Sequence, residues 1–296
     1  MVTKKVILTG ATGLIGKEVI EPLKKSGFDI YALNIDKNNP DNGVNWIECN
    51  IFNYAQIKSV FEKVKPEYLL NFAWATVGDY LSSNINFDFL KAGLELLKHF
   101  AANGGKRAVF SGTCFEYKFK NSPLKETDDL NPETVYAKCK NYLRELSELY
   151  CKQNNINFGW GRIFYVYGHK ENEKRLTAHI IKSIKENKEV IINAGSLVKD
   201  YMYSKDIGAA FAKFLDSGVS GAVNICTGKG ISLADYALTI ADKFNRKDLI
   251  KILNEPSNQP PFIVGDNLRL INEVGYKTQY ALSAAIDNIL KGENSK

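Results

Sequence analysis

The chain has 296 residues, 45% of them apolar and 24% charged, and carries a formal net charge of +6 at pH 7. Those proportions suit a globular protein able to bury a full core, as one large domain or two moderate ones, and exclude a disordered or low-complexity chain. The lysines are dispersed rather than blocked, which argues against nucleic acid as a partner; a mild positive balance fits an anionic metabolite, or simply a Lys-rich composition.

Val6-Ile-Leu-Thr9 predicts a first strand, and Gly16 to Lys25 has the spacing of a helix. Between them lies Thr9-Gly10-Ala-Thr-Gly13-Leu-Ile-Gly16. At a strand–helix junction these glycines have a mechanism. Gly10 allows the tight turn, Gly13 lets the backbone approach a pyrophosphate, and Gly16 permits close packing of helix on sheet. The helix then offers unpaired N–H groups and the positive end of its dipole to the phosphates. A dinucleotide held by Gly10, Thr12, Gly13, Leu14, Ile15 and Gly16 is the expectation, against a mere tight turn.

Phe28 to Leu33 predicts the second strand, which runs out through Leu33-Asn34-Ile35-Asp36-Lys37. An acid about 20 residues beyond the loop would hold the adenosine ribose of NAD. Asn34 stands there instead, with Asp36 two residues later. Asn neither repels nor pairs with a 2′-phosphate and Lys37 could pair with one, so NADP(H) is favoured over NAD(H). Asn50 and Ile51, just before a helix predicted over Ala55 to Lys65, are also assigned to the cofactor. Further strands are predicted at Tyr68 to Phe72, Arg107 to Ser111 and Phe158 to Phe164, with helices at Phe87 to Ala102 and Thr134 to Gln153. This alternation predicts an α/β, Rossmann-type, doubly wound parallel sheet covered on both faces.

Beyond Gly168 the pattern loosens. Helices are predicted at Ala178 to Asn187, Lys205 to Asp216, Leu233 to Phe244 and Ser283 to Leu290, with strands at Val190 to Ile192 and Ala222 to Ile225 and a proline loop around Gln259-Pro-Pro261. The expected division is a dinucleotide-binding domain over 1–168, rejoined around 205–228, and a smaller α/β substrate-binding region over 169–204 and 229–296. No linker separates them.

Tyr136-Ala-Lys-Cys-Lys140 places a phenol and an ammonium one helical turn apart, on one face. A phenol titrates near ~10, and an adjacent ammonium favours the phenolate; a shift of ~3 units needs about 4 kcal/mol of differential interaction. Thr113 could hydrogen-bond the same substrate oxygen. Such a set suits proton exchange with an alcohol or ketone while a hydride moves elsewhere.

With the glycine loop and the Tyr-x-x-x-Lys helix in place, the chain resembles the extended short-chain dehydrogenase/reductases, and within them the nucleotide-sugar epimerase/dehydratase/reductase group. Thr9 to Gly16 matches the cofactor loop, and Asn71-Phe-Ala73 resembles the segment under the nicotinamide-side ribose, which brings in Phe72 and Ala73. Ser111-Gly-Thr113 and Tyr136 to Lys140 match the catalytic strand and helix. Arg162-Ile-Phe-Tyr-Val-Tyr-Gly168, Lys199-Asp-Tyr-Met-Tyr-Ser-Lys-Asp206 and Gly221-Ala-Val-Asn-Ile-Cys-Thr-Gly228 resemble the later motifs in order. The resemblance implies Thr113, Tyr136 and Lys140 as the catalytic set. It also implies substrate contacts at Thr113, Cys114, Phe115, Tyr165, Arg175 and Lys199.

The departures narrow the reaction. The family's 4,6-dehydratases carry Asp-Glu where this chain has Cys114-Phe115, and Phe cannot exchange a proton. The 3,5-epimerase/reductases use a Cys at the place of Phe115; Cys114 is one residue off and would face the other way on an extended strand. Chemistry confined to C4 is what the resemblance leaves. Tyr165 replaces the usual Asn, Lys199 an Arg, losing its bidentate fork, and His169 a Pro. Gly112-Thr-Cys-Phe-Glu-Tyr117 is similar to bacterial 4-ketoreductases acting on CDP- or dTDP-linked 4-keto sugars for surface polysaccharides.

Three readings follow: an NAD(P)H-dependent reductase of a nucleotide-diphosphate-linked 4-keto-6-deoxyhexose, a C4-epimerase that keeps its NAD, and a non-catalytic dinucleotide-binding regulator. His99 and His179 read as packing or solvent-facing, His169 as a group near the substrate entrance, and Trp74 and Trp160 as core. The apolar faces of Phe87 to Ala102 and Thr134 to Gln153 resemble the helices of the family's four-helix homodimer. Cys49, Cys114, Cys139, Cys151 and Cys226 are odd in number without a Cys-x-x-Cys pair, so neither disulfides nor a metal is expected. No apolar stretch reaches the ~18 residues of a membrane span, and no signal segment precedes the first strand; a cytoplasmic protein is expected.

Overall fold

The computed structural model describes residues 4–36, 40 and 43–293. Lys37 lies outside the described residues. Strands and helices alternate: β1 (Lys4–Thr9), α1 (Gly16–Lys25), β2 (Phe28–Asn34), β3 (Asn45–Glu48), α2 (Tyr54–Val64), β4 (Tyr68–Asn71), α3 (Ile85–Ala102), β5 (Arg107–Thr113), α4 (Val135–Gln153), β6 (Asn157–Ile163) and β7 (Tyr165–Tyr167). There follow α5 (Leu176–Lys185), β8 (Val190–Ile192), β9 (Val198–Lys199), β10 (Tyr201–Tyr203), α6 (Ser204–Asp216) and β11 (Gly221–Ile225). The chain ends through β12 (Ile231–Ser232), α7 (Leu233–Asp242), β13 (Ile250–Ile252), β14 (Phe262–Ile263), α8 (Leu268–Asn272) and α9 (Leu282–Glu293).

Seven strands form one sheet in the order β11-β6-β5-β4-β1-β2-β3, every pair parallel. Parallel strands covered on both faces must be apolar on both, and Val6, Ile7 and Leu8 of β1 are fully buried. One core lies under α1 and α6, where Val19, Leu23, Ile207, Phe211 and Phe214 meet the sheet. The other lies under α2, α3 and α4, built from Ile57, Phe61, Leu96, Phe100 and Leu143. The order reverses between β1 and β4, and a crevice opens at the carboxyl ends of the strands there.

A smaller third core joins α5, α7 and α9 through Ile180, Ile184, Tyr236, Ile240 and Ile286. It is tied to the sheet through Asp206 in the first turn of α6, which accepts from the Tyr276 hydroxyl at 2.6 Å and the Gln279 N–H at 2.8 Å. Among the described residues no helix is long and apolar enough to cross a membrane, no group of His, Cys, Asp or Glu could hold a metal, and all five cysteines are buried and free.

Two segments differ from the sequence reading. The strand expected over Phe158 to Phe164 is β6, shifted by one residue: the sheet pairing ends at Ile163, where β5 also ends, and the Tyr165 N–H turns to the Asp200 carbonyl at 3.0 Å. The chain thereby peels off as β7, which pairs with β10. Cys114 to Glu116 is a 3₁₀ turn rather than extended chain.

That turn is fixed by a buried carboxylate. Glu116 Oε1 accepts from the Thr113 N–H at 2.9 Å and the Trp160 indole N–H at 3.0 Å, while Oε2 accepts from Arg162 Nε at 2.8 Å. Arg162 also donates to the Tyr117 hydroxyl at 3.0 Å, and Tyr117 in turn donates to Asn224 on β11 at 2.7 Å. Gly112 leaves the room: a Cβ there would lie 2.1 Å from the Trp160 indole nitrogen. Removing one member of a buried ion pair strands the other. Glu116→Ala is therefore expected to cost about 3–5 kcal/mol in urea unfolding, and Glu116→Gln, which keeps an acceptor, distinctly less.

Candidate active site

The carboxyl ends of β1, β4, β5 and β6 border a cavity of about 400 Å³. On its cofactor side Gly10 stands at φ +67°, and a Cβ added there would lie 2.9 Å from the backbone of Phe72 and Ala73. Only glycine takes that conformation at that distance. A Cβ on Gly16 would lie 2.0 Å from the Gly10 carbonyl oxygen, so the loop must fold tightly onto α1. Thr9 locks the neighbouring strand, donating to Asn71 Oδ1 at 2.5 Å while Ala73 N–H donates to Thr9 Oγ1 at 3.2 Å. The result is a backbone cradle at a helix N-terminus, which fits a dinucleotide pyrophosphate.

Of the residues expected to hold that group, Gly10, Gly13, Leu14, Ile15, Gly16 and Phe72 line the cavity. Thr12 is exposed on the loop, Ala73 is partly buried next to Phe72 without lining the cavity, and Asn34 ends β2. Asn50 and Ile51 follow β3, the neighbour of β2, with the Asn50 N–H bonded to Gln56.

Thr113, Tyr136 and Lys140 all line the cavity and all are buried. Thr134 caps α4 by accepting from the Ala137 N–H at 3.1 Å, which starts the helix one residue before Tyr136. Tyr136 N–H donates to the Leu81 carbonyl, and the Tyr80 ring stands edge-on to the phenol at 5.1 Å. Burial pushes the Tyr136 phenol well above its ordinary range. A hydrogen bond with the Thr113 side chain works against the rise, and Tyr80, Glu116 and Cys114 add to it. Lys140 Nζ donates to the Ser111 carbonyl at 2.8 Å and sits 4.0 Å from the centre of the Trp74 ring. Burial lowers its ammonium to about 7, with Glu116 opposing.

The expected depression of the phenol by its neighbour is thus not what this geometry gives. Desolvation is the largest influence on the phenol, and the Lys140 ammonium is turned towards the Ser111 carbonyl and the Trp74 ring. Trp74, read from the sequence as core, is part of the cavity wall, with its N–H on Asn86 at 2.7 Å.

On the opposite side, Cys114 and Phe115 both line the cavity. Alternation along a strand does not apply in a 3₁₀ turn, which corrects the expectation that Cys114 faces away. Burial raises its thiol well above the ordinary range, so it stays protonated. Tyr165 and Arg175 also line the cavity, Arg175 as the residue before the first turn of α5. Lys199 does not: it is buried with Nζ on the Pro260 carbonyl at 2.7 Å, and burial lowers it to about 8. Trp160 is core, and His169 borders a second cavity. Thr76, Tyr80, Glu171 and Tyr201 complete the wall without having been singled out in the sequence, since they sit in irregular segments or on a three-residue strand that carries no pattern.

The model of the NAD dependent epimerase/dehydratase family matches residues 6–226. A dTDP-6-deoxy-L-talose 4-dehydrogenase (NAD(+)) from Aggregatibacter actinomycetemcomitans is 27% identical over 253 residues, 81% of this chain and 93% of the relative. A dTDP-4-dehydro-6-deoxyglucose reductase from Escherichia coli is 25% identical over 312 residues, 98% of each. Among solved structures, a UDP-glucose 4-epimerase from Thermotoga maritima superimposes with a TM-score of 0.86 at 19% identity, covering 98% of this chain and 99% of that one.

Lys140 also makes a stability prediction. Its ordinary value is 10.5 and its folded value about 7. Between these the unfolded chain holds a proton that the folded chain lacks, so stability rises with pH across that window and the penalty is complete below it. Lys140→Met is expected to stabilise the protein by about 1–3 kcal/mol near pH 6 and to lose most of that gain near pH ~9.5, while turnover collapses. Thermal unfolding at the two pH values checks this.

Proposed function

The chain belongs to the NAD-dependent epimerase/dehydratase family, and on that premise we propose that this nucleotide-sugar enzyme reduces the C4 ketone of a nucleotide-diphosphate-linked 4-keto-6-deoxyhexose. The observation that carries the reading is a cavity holding Thr113, Tyr136 and Lys140 together, with Phe115 on the wall beside Thr113 and a phenol that burial keeps protonated. A neutral phenol is a proton donor as it stands, which is what a ketone oxygen needs when it becomes an alkoxide. Thr113, hydrogen-bonded to that phenol, orients the same oxygen. Lys140 supplies positive charge beneath the phenol and a donor for a ribose hydroxyl. Bound in the glycine cradle, a reduced nicotinamide dinucleotide supplies the hydride. Arg175 is the guanidinium on the cavity wall and takes the diphosphate, a part for which Lys199, engaged with Pro260, is not available.

Asn34, at the end of β2, brings no carboxylate against a 2′-phosphate and favours NADP(H); the 4-dehydrogenase relative is named for NAD+, so both cofactors belong in the test. The substrate-binding part would be 169–204 and 229–296, with 1–168 and 205–228 forming the dinucleotide domain. The relatives' names support the sugar class: one is a 4-dehydrogenase of a 6-deoxy sugar nucleotide, the other a reductase of a 4-dehydro-6-deoxy one.

Incubation with dTDP-, CDP-, UDP- and GDP-linked 4-keto-6-deoxyhexoses and NADPH or NADH should consume reduced cofactor stoichiometrically. Tyr136→Phe should lower turnover about 10²–10⁴-fold, the usual contribution of a positioned general acid. Interconversion of ordinary nucleotide hexoses without cofactor consumption would instead establish the C4-epimerase.

The homodimer is proposed on a separate observation. Tyr142, Leu146 and Leu149 repeat at helical spacing along α4 and are 52%, 47% and 63% exposed, with Phe87 of α3 48% exposed. Four large apolar side chains on the two packed helices suit the same face of a second copy, giving four helices. In analytical ultracentrifugation the wild type is expected as a dimer and Leu146→Glu/Leu149→Glu as a monomer.

A further inference from the structure

Tyr80 sits in the irregular segment between β4 and α3, yet it is held firmly. Asn86, fully buried in the first turn of α3, donates to the Tyr80 and Ser83 carbonyls at 2.7 Å each and accepts from the Trp74 indole N–H at 2.7 Å. The next carbonyl, that of Leu81, accepts from the Tyr136 N–H at 3.1 Å. The Tyr80 ring stands edge-on to the Tyr136 ring, 5.1 Å between centres. Backbone and ring are thus anchored, and the hydroxyl is not. That oxygen has no hydrogen-bond partner among the described residues, yet it does not belong to the sealed polar atoms of the interior: Tyr80 is half-buried and lines the cavity, and its hydroxyl is open to water. A side chain fixed this closely, with its polar end left in an open cavity, is placed to meet a ligand.

What it meets follows from what surrounds it. Burial raises the phenol above its ordinary value, with Arg175 opposing and Cys114 adding, so it is neutral and can both donate and accept. That suits an alcohol better than an anion, for which Arg175 stands on the same wall. Tyr80 lies between Tyr136, against its ring, and Arg175, whose charge reaches its hydroxyl. The hexose of a nucleotide sugar spans the same interval, with C4 at Tyr136 and C1, which carries the diphosphate, towards Arg175. Between those ends, one edge of a 6-deoxyhexose holds the ring oxygen, C5 and a methyl group. The other edge holds C2 and C3, the carbons that can carry hydroxyls. We propose that Tyr80 is a specificity-determining residue whose hydroxyl hydrogen-bonds a hydroxyl on the C2–C3 edge of the hexose. This rests on the nucleotide-sugar reading above.

Tyr80→Phe removes the hydroxyl and keeps the ring against Tyr136, so the packing is retained. The probes are dTDP, CDP, UDP and GDP, each alone and linked to a hexose, together with 2-deoxy and 3-deoxy forms of the hexose-linked probe that binds tightest. They are titrated calorimetrically into wild type and variant. The variant is expected to bind the hexose-linked probe about 5- to 10-fold more weakly, with melting temperature, dinucleotide affinity and affinity for the bare diphosphates unchanged. With one of the two deoxy probes wild type and variant are expected to bind alike, which marks the carbon whose hydroxyl Tyr80 holds. A loss equal for bare and hexose-linked diphosphates overturns the inference in favour of a phosphate contact. A loss undiminished with both deoxy probes overturns the C2–C3 assignment, and unchanged affinity throughout, with wild-type binding intact, overturns the role of Tyr80 alone. Absence of binding to the wild type by every probe overturns the nucleotide-sugar reading and this inference with it.

Discussion

The site depends on one buried carboxylate that never faces the ligand. Glu116 accepts from Thr113, Trp160 and Arg162, and thereby fixes where β5 stops, how the chain turns, and which way Thr113 presents its hydroxyl. A buried charge tolerates this position only because every near donor is aimed at it, and the donors come from two neighbouring strands. The pair extends through Tyr117 to Asn224, so it also ties down β11, the strand the chain adds to the sheet after leaving it. Its charge reaches the cavity as well, supporting the Lys140 ammonium against burial.

Burial moves both titrating groups of the Tyr136–Lys140 pair towards neutrality, the phenol upwards and the ammonium downwards. A buried pocket is a poor place to store ions but one in which charge developing on a bound oxygen is felt strongly. The indole of Trp74 gives the Lys140 ammonium a face to rest on, which limits its drift to the neutral form.

Much of the frame was legible because its signals are local and periodic. The glycine loop and α1 follow from residues 10–25, where turn, close approach and apolar spacing agree. The Tyr–Lys helix follows from spacing alone. The two-residue strands β9, β12 and β14 carry no period to read, and β3 is a short edge strand with a mixed exposed pattern. The errors at the site were errors of direction. Cys114 was assigned a side by strand alternation, which lapses when capping by Thr113 and Glu116 turns the chain into a 3₁₀ helix. Trp74 does pack against the core, and its ring also faces Lys140 on the cavity wall, a contact set by residues far apart in sequence. Lys199 retained a charge suited to phosphate, yet burial and the Pro260 carbonyl hold it off the cavity.

Glu171 raises the question whether Tyr136 is the only proton carrier. A carboxyl in the cavity could in principle serve a second carbon, as dehydration or double epimerisation would require. Its placement argues otherwise. One oxygen is bound to the backbone of α5, Arg175 lies beside it, and the charges that act on Tyr136 come from Tyr80, Glu116 and Cys114. Beside Thr113, where a second acid or base would meet the carbon next to the ketone, the wall offers a phenyl ring and a thiol that burial keeps protonated.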